Sequence, residues 1–146
     1  MSKLVKLKKG FDIKLVGKAE KKLVEFQPAK TFAIKPTDFI GLQRPKVTVN
    51  EGDTVKAGTP ILFDKALDQV QYVAPVSGEI VEIKRGDKRK LLEIKILADK
   101  TITHLSFGKI DLNQGRDVLA AKLASTGVWP NIIQRPFGIV ANPADT

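Results

Sequence analysis

Between Lys46 and Ala98 the chain is cut into short apolar segments by turn residues that recur too often for a helix to survive. Val47-Thr48-Val49, Thr54-Val55, Ile61-Leu62-Phe63, Val70-Gln71-Tyr72-Val73, Glu79-Ile80-Val81-Glu82-Ile83 and Leu91-Leu92-Glu93-Ile94-Lys95-Ile96-Leu97 are the segments, and turn residues mark four of their five junctions. These are Asn50-Glu51-Gly52-Asp53, Ala57-Gly58-Thr59-Pro60, Ala74-Pro75-Val76-Ser77-Gly78 and Arg85-Gly86-Asp87. Several segments alternate apolar and polar residues, which sends one set of side chains into a core and the other into water. Such strands predict a compact β sandwich or barrel. Val47-x-Val49-x-x-Gly52-Asp53 also matches Val81-x-Ile83-x-x-Gly86-Asp87 at an offset of 34 residues. The match fits two pseudo-symmetric β-halves, or the chance recurrence of a common turn.

The flanks differ in character. Residues 3–8 read as a short strand ended by Gly10, residues 18–30 as a Lys-rich solvated connector, and Thr31-Phe32-Ala33-Ile34 as a brief strand that stops before Pro36. Beyond residue 110, Asp111-Leu112-Asn113-Gln114 offers capping-box chemistry. Val118, Ala121 and Ala124, or Leu119 and Leu123, recur at helical spacing, and Gly127 suits a helix end. Trp129-Pro130-Asn131-Ile132-Ile133 reads as the start of a second, shorter helix with proline at its first position, residues 134–138 as a loop and Ile139-Val140-Ala141 as a short strand. The expected fold class is mainly β with a C-terminal α segment (α+β). The expected division is 1–45, strands and connector packing on the sandwich; 46–110, the sandwich; and 111–146, a helical segment. The last has too few apolar partners for its own core and is expected to open a second domain.

Composition removes much chemistry. The chain has no cysteine among its 146 residues, which excludes disulfides, thiolate catalysis, iron–sulfur clusters and Cys-ligated zinc. Its single histidine, His104, leaves no His-pair metal site and reads as a half-buried strand residue. Asp53, Asp64, Asp68 and Asp87 lie in or beside turns, where Asp ordinarily serves the backbone rather than acid–base chemistry. Neither GxGxxG nor GxxxxGK[ST] occurs. No residue therefore qualifies as catalytic, cofactor-binding or metal-ligating. No apolar run approaches the ~20 residues that span a bilayer, and Met1-Ser2-Lys3-Leu4-Val5-Lys6 lacks the apolar core of a signal peptide.

The net charge of +9 is concentrated in two places. Residues 1–30 hold nine lysines against Asp12, Glu20 and Glu25, and Lys84-Arg85-Gly86-Asp87-Lys88-Arg89-Lys90 holds five basic residues and one acid. No aromatic is interleaved with that second run, so a base-stacking platform for nucleic acid is missing. A membrane surface, an acidic partner subunit or a plain solvated face remain as readings. Lys84, Arg85, Lys88, Arg89 and Lys90 are the candidate docking residues, outside the fold and cheap to leave in water.

Val49-Asn50-Glu51-Gly52-Asp53-Thr54-Val55-Lys56-Ala57-Gly58-Thr59-Pro60-Ile61-Leu62 followed by Ala74-Pro75-Val76-Ser77-Gly78-Glu79-Ile80 resembles the biotinyl/lipoyl-type barrel-sandwich hybrid. In that family the segment between these signatures carries a modified lysine as Asp-Lys-Ala, and Asp64-Lys65-Ala66 stands in its place. The stretch from Lys65 to Gly78 is about two residues longer than the lipoyl pattern, which is expected to move Lys65 off the hairpin tip. No Met flanks it as in biotin carriers.

A longer resemblance adds Lys8-Lys9-Gly10-Phe11-Asp12-Ile13-Lys14-Leu15-Val16-Gly17, Pro36-Thr37-Asp38-Phe39-Ile40-Gly41-Leu42-Gln43-Arg44-Pro45-Lys46 and Trp129-Pro130-Asn131-Ile132-Ile133-Gln134-Arg135-Pro136-Phe137-Gly138. In this order the segments are similar to the N-terminal part of the A subunit of the bacterial Na+-translocating NADH:quinone oxidoreductase. The C subunit of the related Rnf complex shares the sandwich but lacks that opening and carries cysteine clusters elsewhere. The resemblance implies a peripheral subunit on the cytoplasmic face of the bacterial inner membrane, with the complex's other subunits as partners, and a barrel-sandwich hybrid followed by the start of a nucleotide-binding-like α/β domain. It implies flavins, iron–sulfur centres, NADH and a quinone in the whole complex. The distantly similar flavin subunit of respiratory complex I uses a Gly-x-Gly-Gly-Ala-Gly loop after a helix. Here Gly127-Val128-Trp129-Pro130 follows the expected helix, and Trp and Pro deny the close backbone approach a phosphate needs.

The implied role is scaffolding without a redox centre, with a contribution to quinone binding through later residues or a partner. Trp129, Arg135 and Phe137 form the candidate cluster for a ligand or interdomain contact. Rival readings are a carrier domain modified at Lys65 and, less favoured, a basic nucleic-acid module.

Overall fold

The structure, a computed structural model, describes residues 6, 8–10 and 13–145. Most of the strand expected over residues 3–8 lies outside the described residues, as do Phe11 and Asp12. Residues 13–30 are exposed and form neither strand nor helix.

Seven strands follow: β1 (Thr31–Ile34), β2 (Pro45–Val47), β3 (Thr54–Val55), β4 (Pro60–Asp64), β5 (Leu67–Val73), β6 (Gly78–Arg85) and β7 (Leu91–Ala98). They make two antiparallel sheets, one in the order β1-β7-β6-β3 and one in the order β2-β4-β5. Ile61, Leu62, Val70, Ile80, Ile94 and Ile96, each at most 1% exposed, fill the space between them. Ile94 and Ile96 point inward from β7 while Leu97 is exposed, the alternation the sequence predicts.

On β6 that alternation is reset. A register shift between Ile80 and Glu82 leaves Ile80 opposite Ile96 and Ile83 opposite Ile94, so two isoleucines three apart share the core face. Val81 is left 42% exposed, and Glu82 meets Lys95 on the outer face. There the Lys95 ammonium, hydrogen-bonded by Glu82 and then Glu93, titrates above its ordinary range.

The chain crosses between sheets at Ala74–Ser77. A Cβ at Gly78, whose φ is +153°, would lie 1.9 Å from the Leu97 carbonyl oxygen, so only glycine fits the corner. Ser77 is wholly buried, and its hydroxyl accepts from the Thr103 amide at 2.9 Å. The two Gly-Asp turns of the sequence repeat are not equivalent. The turn at Gly52-Asp53 joins β2 to β3, in different sheets, whereas Gly86-Asp87 closes the β6–β7 hairpin within one.

The C-terminal segment departs from the sequence expectation in three ways. First, helix α1 (Arg116–Ser125) starts after Gly115 at φ 80°, with no side-chain cap. Asp111, too far upstream to cap it, instead accepts from the amide of Asn113 at 3.0 Å in a local turn. Second, α1 buries Ala120 and Ala124, with Leu123 partly covered, whereas Val118 is 51% exposed. Just past the helix the chain runs so close to the sandwich that only glycine fits. A Cβ at Gly127 would stand 2.4 Å from a Val73 methyl on β5. Third, the second helix is only one 3-10 turn, Trp129–Asn131. Ile133 and Gln134 leave it for strand β8 (Ile133–Gln134), paired with β9 (Ile139–Val140), and the loop shrinks to residues 135–138. His104 is exposed rather than half-buried, because only an isolated bridge to Ala57 holds its backbone.

Candidate functional site

Two hairpin tips and one cavity carry Lys65 and the cations of Lys84–Lys90 that the sequence singles out. At the β4–β5 tip, Asp64 pairs with Leu67 across a turn of only two residues, Lys65 and Ala66. Lys65 is therefore at the tip and exposed, which corrects the expectation that extra residues displace it. The additional length goes into the strands: β5 runs for seven residues, and β4 absorbs register shifts at Pro60/Leu62 and Phe63/Asp64. The tip is pinned by Asp64, whose carboxylate is buried and accepts from the amides of Gln43 (2.9 Å), Ala66 (3.0 Å) and Arg44 (3.3 Å). The Lys65 amide donates to the Arg44 carbonyl at 3.1 Å. Asp64 thus serves the backbone, as a turn Asp is expected to. Beside it Tyr72, 4% exposed and met edge-on by Phe39 at 4.7 Å between ring centres, titrates high, at about 12, through burial and then the Asp64 charge.

The β6–β7 tip contrasts with this. Its five cationic side chains are all exposed. Lys88 and Arg89 sit at φ 53° and 61°, a left-handed conformation that disfavours side chains with a Cβ. Lys84 finds Glu93 at 3.6 Å, but among the described residues Arg85, Arg89 and Lys90 have no carboxylate partner. These three form one wall of a cavity of about 630 Å³ between the hairpin and the segment Pro36–Pro45. Phe39, Ile40, Leu42 and Leu91 give it an apolar lining, and no acidic side chain contributes. The Pro36–Pro45 segment is a signal that sequence reasoning met only as a family signature, since it lacks periodicity. Its role as a cavity wall depends on β1 and β2 belonging to different sheets.

Trp129, Arg135 and Phe137 do not converge. Trp129 is 9% exposed, and its indole Nε1 donates to the Ala141 carbonyl at 2.7 Å. It packs the C-terminal segment against the sandwich core. Arg135 and Phe137 stand exposed in the β8–β9 turn, Phe137 at 72%. Among the described residues no cluster of His, Asp and Glu is arranged for a metal ion, and no helix is long and apolar enough to cross a membrane.

Comparison with known proteins follows this architecture. The family described as the NqrA N-terminal barrel-sandwich hybrid domain matches residues 5–99. Relatives named as the A subunit of the Na(+)-translocating NADH-quinone reductase are 33% identical over 98% of the chain (Alcanivorax borkumensis), 34% over 94% (Marinomonas sp.) and 32% over 94% (Rhodopirellula baltica). The chain spans about a third of the length of these relatives, 33%, 31% and 31% respectively. With a family match over most of its length and two sheets joined at a glycine corner, the chain belongs to the family of the NqrA N-terminal barrel-sandwich hybrid domain.

Proposed function

We propose that the chain is the N-terminal part of the A subunit of a respiratory Na+-translocating NADH:quinone reductase and serves as a peripheral scaffold on the cytoplasmic face of the membrane. Similarity to reductase subunits over nearly the whole chain carries this reading. The other subunits are its partners, and NADH, quinone, flavins and iron–sulfur centres belong to the whole complex. The chain itself holds no redox centre. In support, the segment after α1 is filled from within, Gly127 lying against Val73 and Trp129 being buried, so no concave backbone turn is open to a flavin phosphate. The domain division follows the same reading, with a sandwich of 46–110 to which the preceding segment adds β1, and with 111–146 opening a further domain.

Arg135 and Phe137, exposed beyond the buried Trp129, are the residues that would meet the further domain or a quinone-type ligand. Arg135→Ala in the whole complex should lower quinone reductase activity with assembly intact; unchanged activity and inhibitor response leave them without that role. The central test is affinity purification of the tagged subunit from membranes. NADH-oxidising, quinone-reducing subunits should accompany it, while the isolated chain shows no flavin absorbance. Absence of those subunits overturns the scaffold reading.

A second reading gains one specific observation, the exposed tip position of Lys65. A carrier domain acylated there would show the added mass of its prosthetic group on the native protein, whereas the scaffold reading expects the mass of the unmodified chain.

A further inference from the structure

We infer that the cavity between the β6–β7 tip and the Pro36–Pro45 segment is a docking site for an acidic, apolar-bearing peptide segment of a partner subunit. The inference rests on the scaffold reading and deepens it by naming the surface and the chemistry of its occupant. Its volume, about 630 Å³, is within the range of about 300–1,000 Å³ in which proteins hold compact ligands. Its two kinds of wall ask for two kinds of group. Phe39, Ile40, Leu42 and Leu91 offer apolar surface, and Ile40, although its tip approaches Gly138, remains 61% exposed. Arg85, Arg89 and Lys90 offer positive charge with no carboxylate among the described residues to answer it.

The neighbouring residues show that this charge imbalance is local. One residue away Lys84 is paired with Glu93, and Lys95 is held by both Glu82 and Glu93. The sheet face is neutralised within the chain, and the tip is not. The left-handed backbone at Lys88 and Arg89 is that of a tight hairpin turn, closed by the Lys90 amide donating to the Asp87 carbonyl at 3.1 Å, and it keeps the cations together at the tip. A carboxylate-bearing segment would supply the missing charge, and an apolar side chain beside it would cover Ile40. A bilayer surface fits less well. It is flat and suits a convex cationic face, whereas these cations line a concavity. The guanidinium groups of Arg85 and Arg89 can each donate two parallel hydrogen bonds to a carboxylate that enters the concavity.

The test places the photoreactive residue p-benzoylphenylalanine at Ile40 in the tagged subunit within the assembled membrane complex. Irradiation is followed by mass spectrometry of the crosslinked product. The expected result is a crosslink to a stretch of one other subunit with at least two carboxylates beside an apolar residue. Its yield should fall at least fivefold when Arg85→Ser, Arg89→Ser and Lys90→Ser are introduced together, and hold when Lys100→Ser and Lys109→Ser are introduced instead. Crosslinking to phospholipid, no crosslink at all, or a yield indifferent to the triple substitution overturns the docking site. Co-purification of the complex is scored first, before irradiation. If the reductase subunits are absent the scaffold reading fails and the docking site with it. If they are present without the expected crosslink, only the docking site fails.

Discussion

The β4–β5 and β6–β7 hairpins leave the same sandwich, yet their tips are held by opposite means. At β4–β5 one buried carboxylate collects three backbone amides, and the cation, Lys65, is a bystander whose backbone is tied to Arg44. At β6–β7 the side chains bond almost nothing, Arg85 reaching the Arg89 carbonyl only at 3.5 Å, and two residues hold left-handed backbone. The first tip spends its polar groups on folding. The second keeps them for something outside the chain. Resemblance to a carrier draws attention to the lysine tip, but polar satisfaction marks the other as the surface with unmet needs.

The largest test of this contrast is removal of Asp64. Asp64→Ala leaves three amides at a part-buried site without their acceptor, and a lost acceptor costs about 1–3 kcal/mol for each buried donor left unpaired. Relaxation and water will recover part of this, so urea unfolding of the chain should show a loss of about 3 kcal/mol. Asp64→Asn retains one acceptor oxygen and should lose less. An Asp64→Ala variant as stable as the parent would erase the distinction between the two tips.

A smaller effect follows from Tyr72, the chain's single tyrosine, so tyrosinate absorbance reports on it alone. Burial, and secondarily Asp64, raise its titration from 10.0 to about 12. The folded state therefore keeps the phenolic proton after the unfolded chain has lost it. Tyr72 contributes fully below pH 10, and its contribution is lost as the pH rises through about 12. Relative to Tyr72→Phe, the parent should lose on the order of 2 kcal/mol across that window. Because burial is the larger cause, Asp64→Asn should remove only the smaller part of the rise. Titration of the folded parent near 10 would mean that Phe39 and the Asp64 tip leave the phenol open to water.

Much of this arrangement is legible in the sequence, because it follows from local rules. Turn residues at short intervals and the alternation in Leu91–Leu97 require strands, and the β6–β7 tip announces itself as charge clustered around Gly86-Asp87. What escapes are features decided by distant partners. The alternation on β6 predicts no bulge, so the shared face of Ile80 and Ile83 is hidden until Ile96 and Ile94 pair with them. The face of α1 is decided by its packing on the distant strand β5, which leaves Ala120 and Ala124 buried and the larger Val118 exposed. Counting residues from Lys65 to Gly78 misplaces the hairpin tip, because extra residues can lengthen a strand as easily as a loop. The cavity is the extreme case: its apolar wall comes from a segment without periodicity, its cationic wall from a loop some fifty residues later.

The smallest expected effect concerns the stability of the β6–β7 tip itself. Replacing Arg85, Lys88 and Arg89 together by Ser removes three exposed charges and one long hydrogen bond. Surface substitutions of this kind typically change stability by no more than about 0.5 kcal/mol. Mutual repulsion among the cations is relieved at the same time, which offsets part of any loss. Lys88→Gly should even stabilise the chain by about 0.5 kcal/mol, because glycine adopts φ near 53° without strain, less its greater unfolded-state entropy. Thermal melts of the four proteins—parent, Lys88→Gly, the triple Ser variant and Asp64→Ala—check the ordering directly. A triple variant that melts as early as Asp64→Ala would mean that the cations knit the tip together, and the reason for regarding them as held for a partner would be gone.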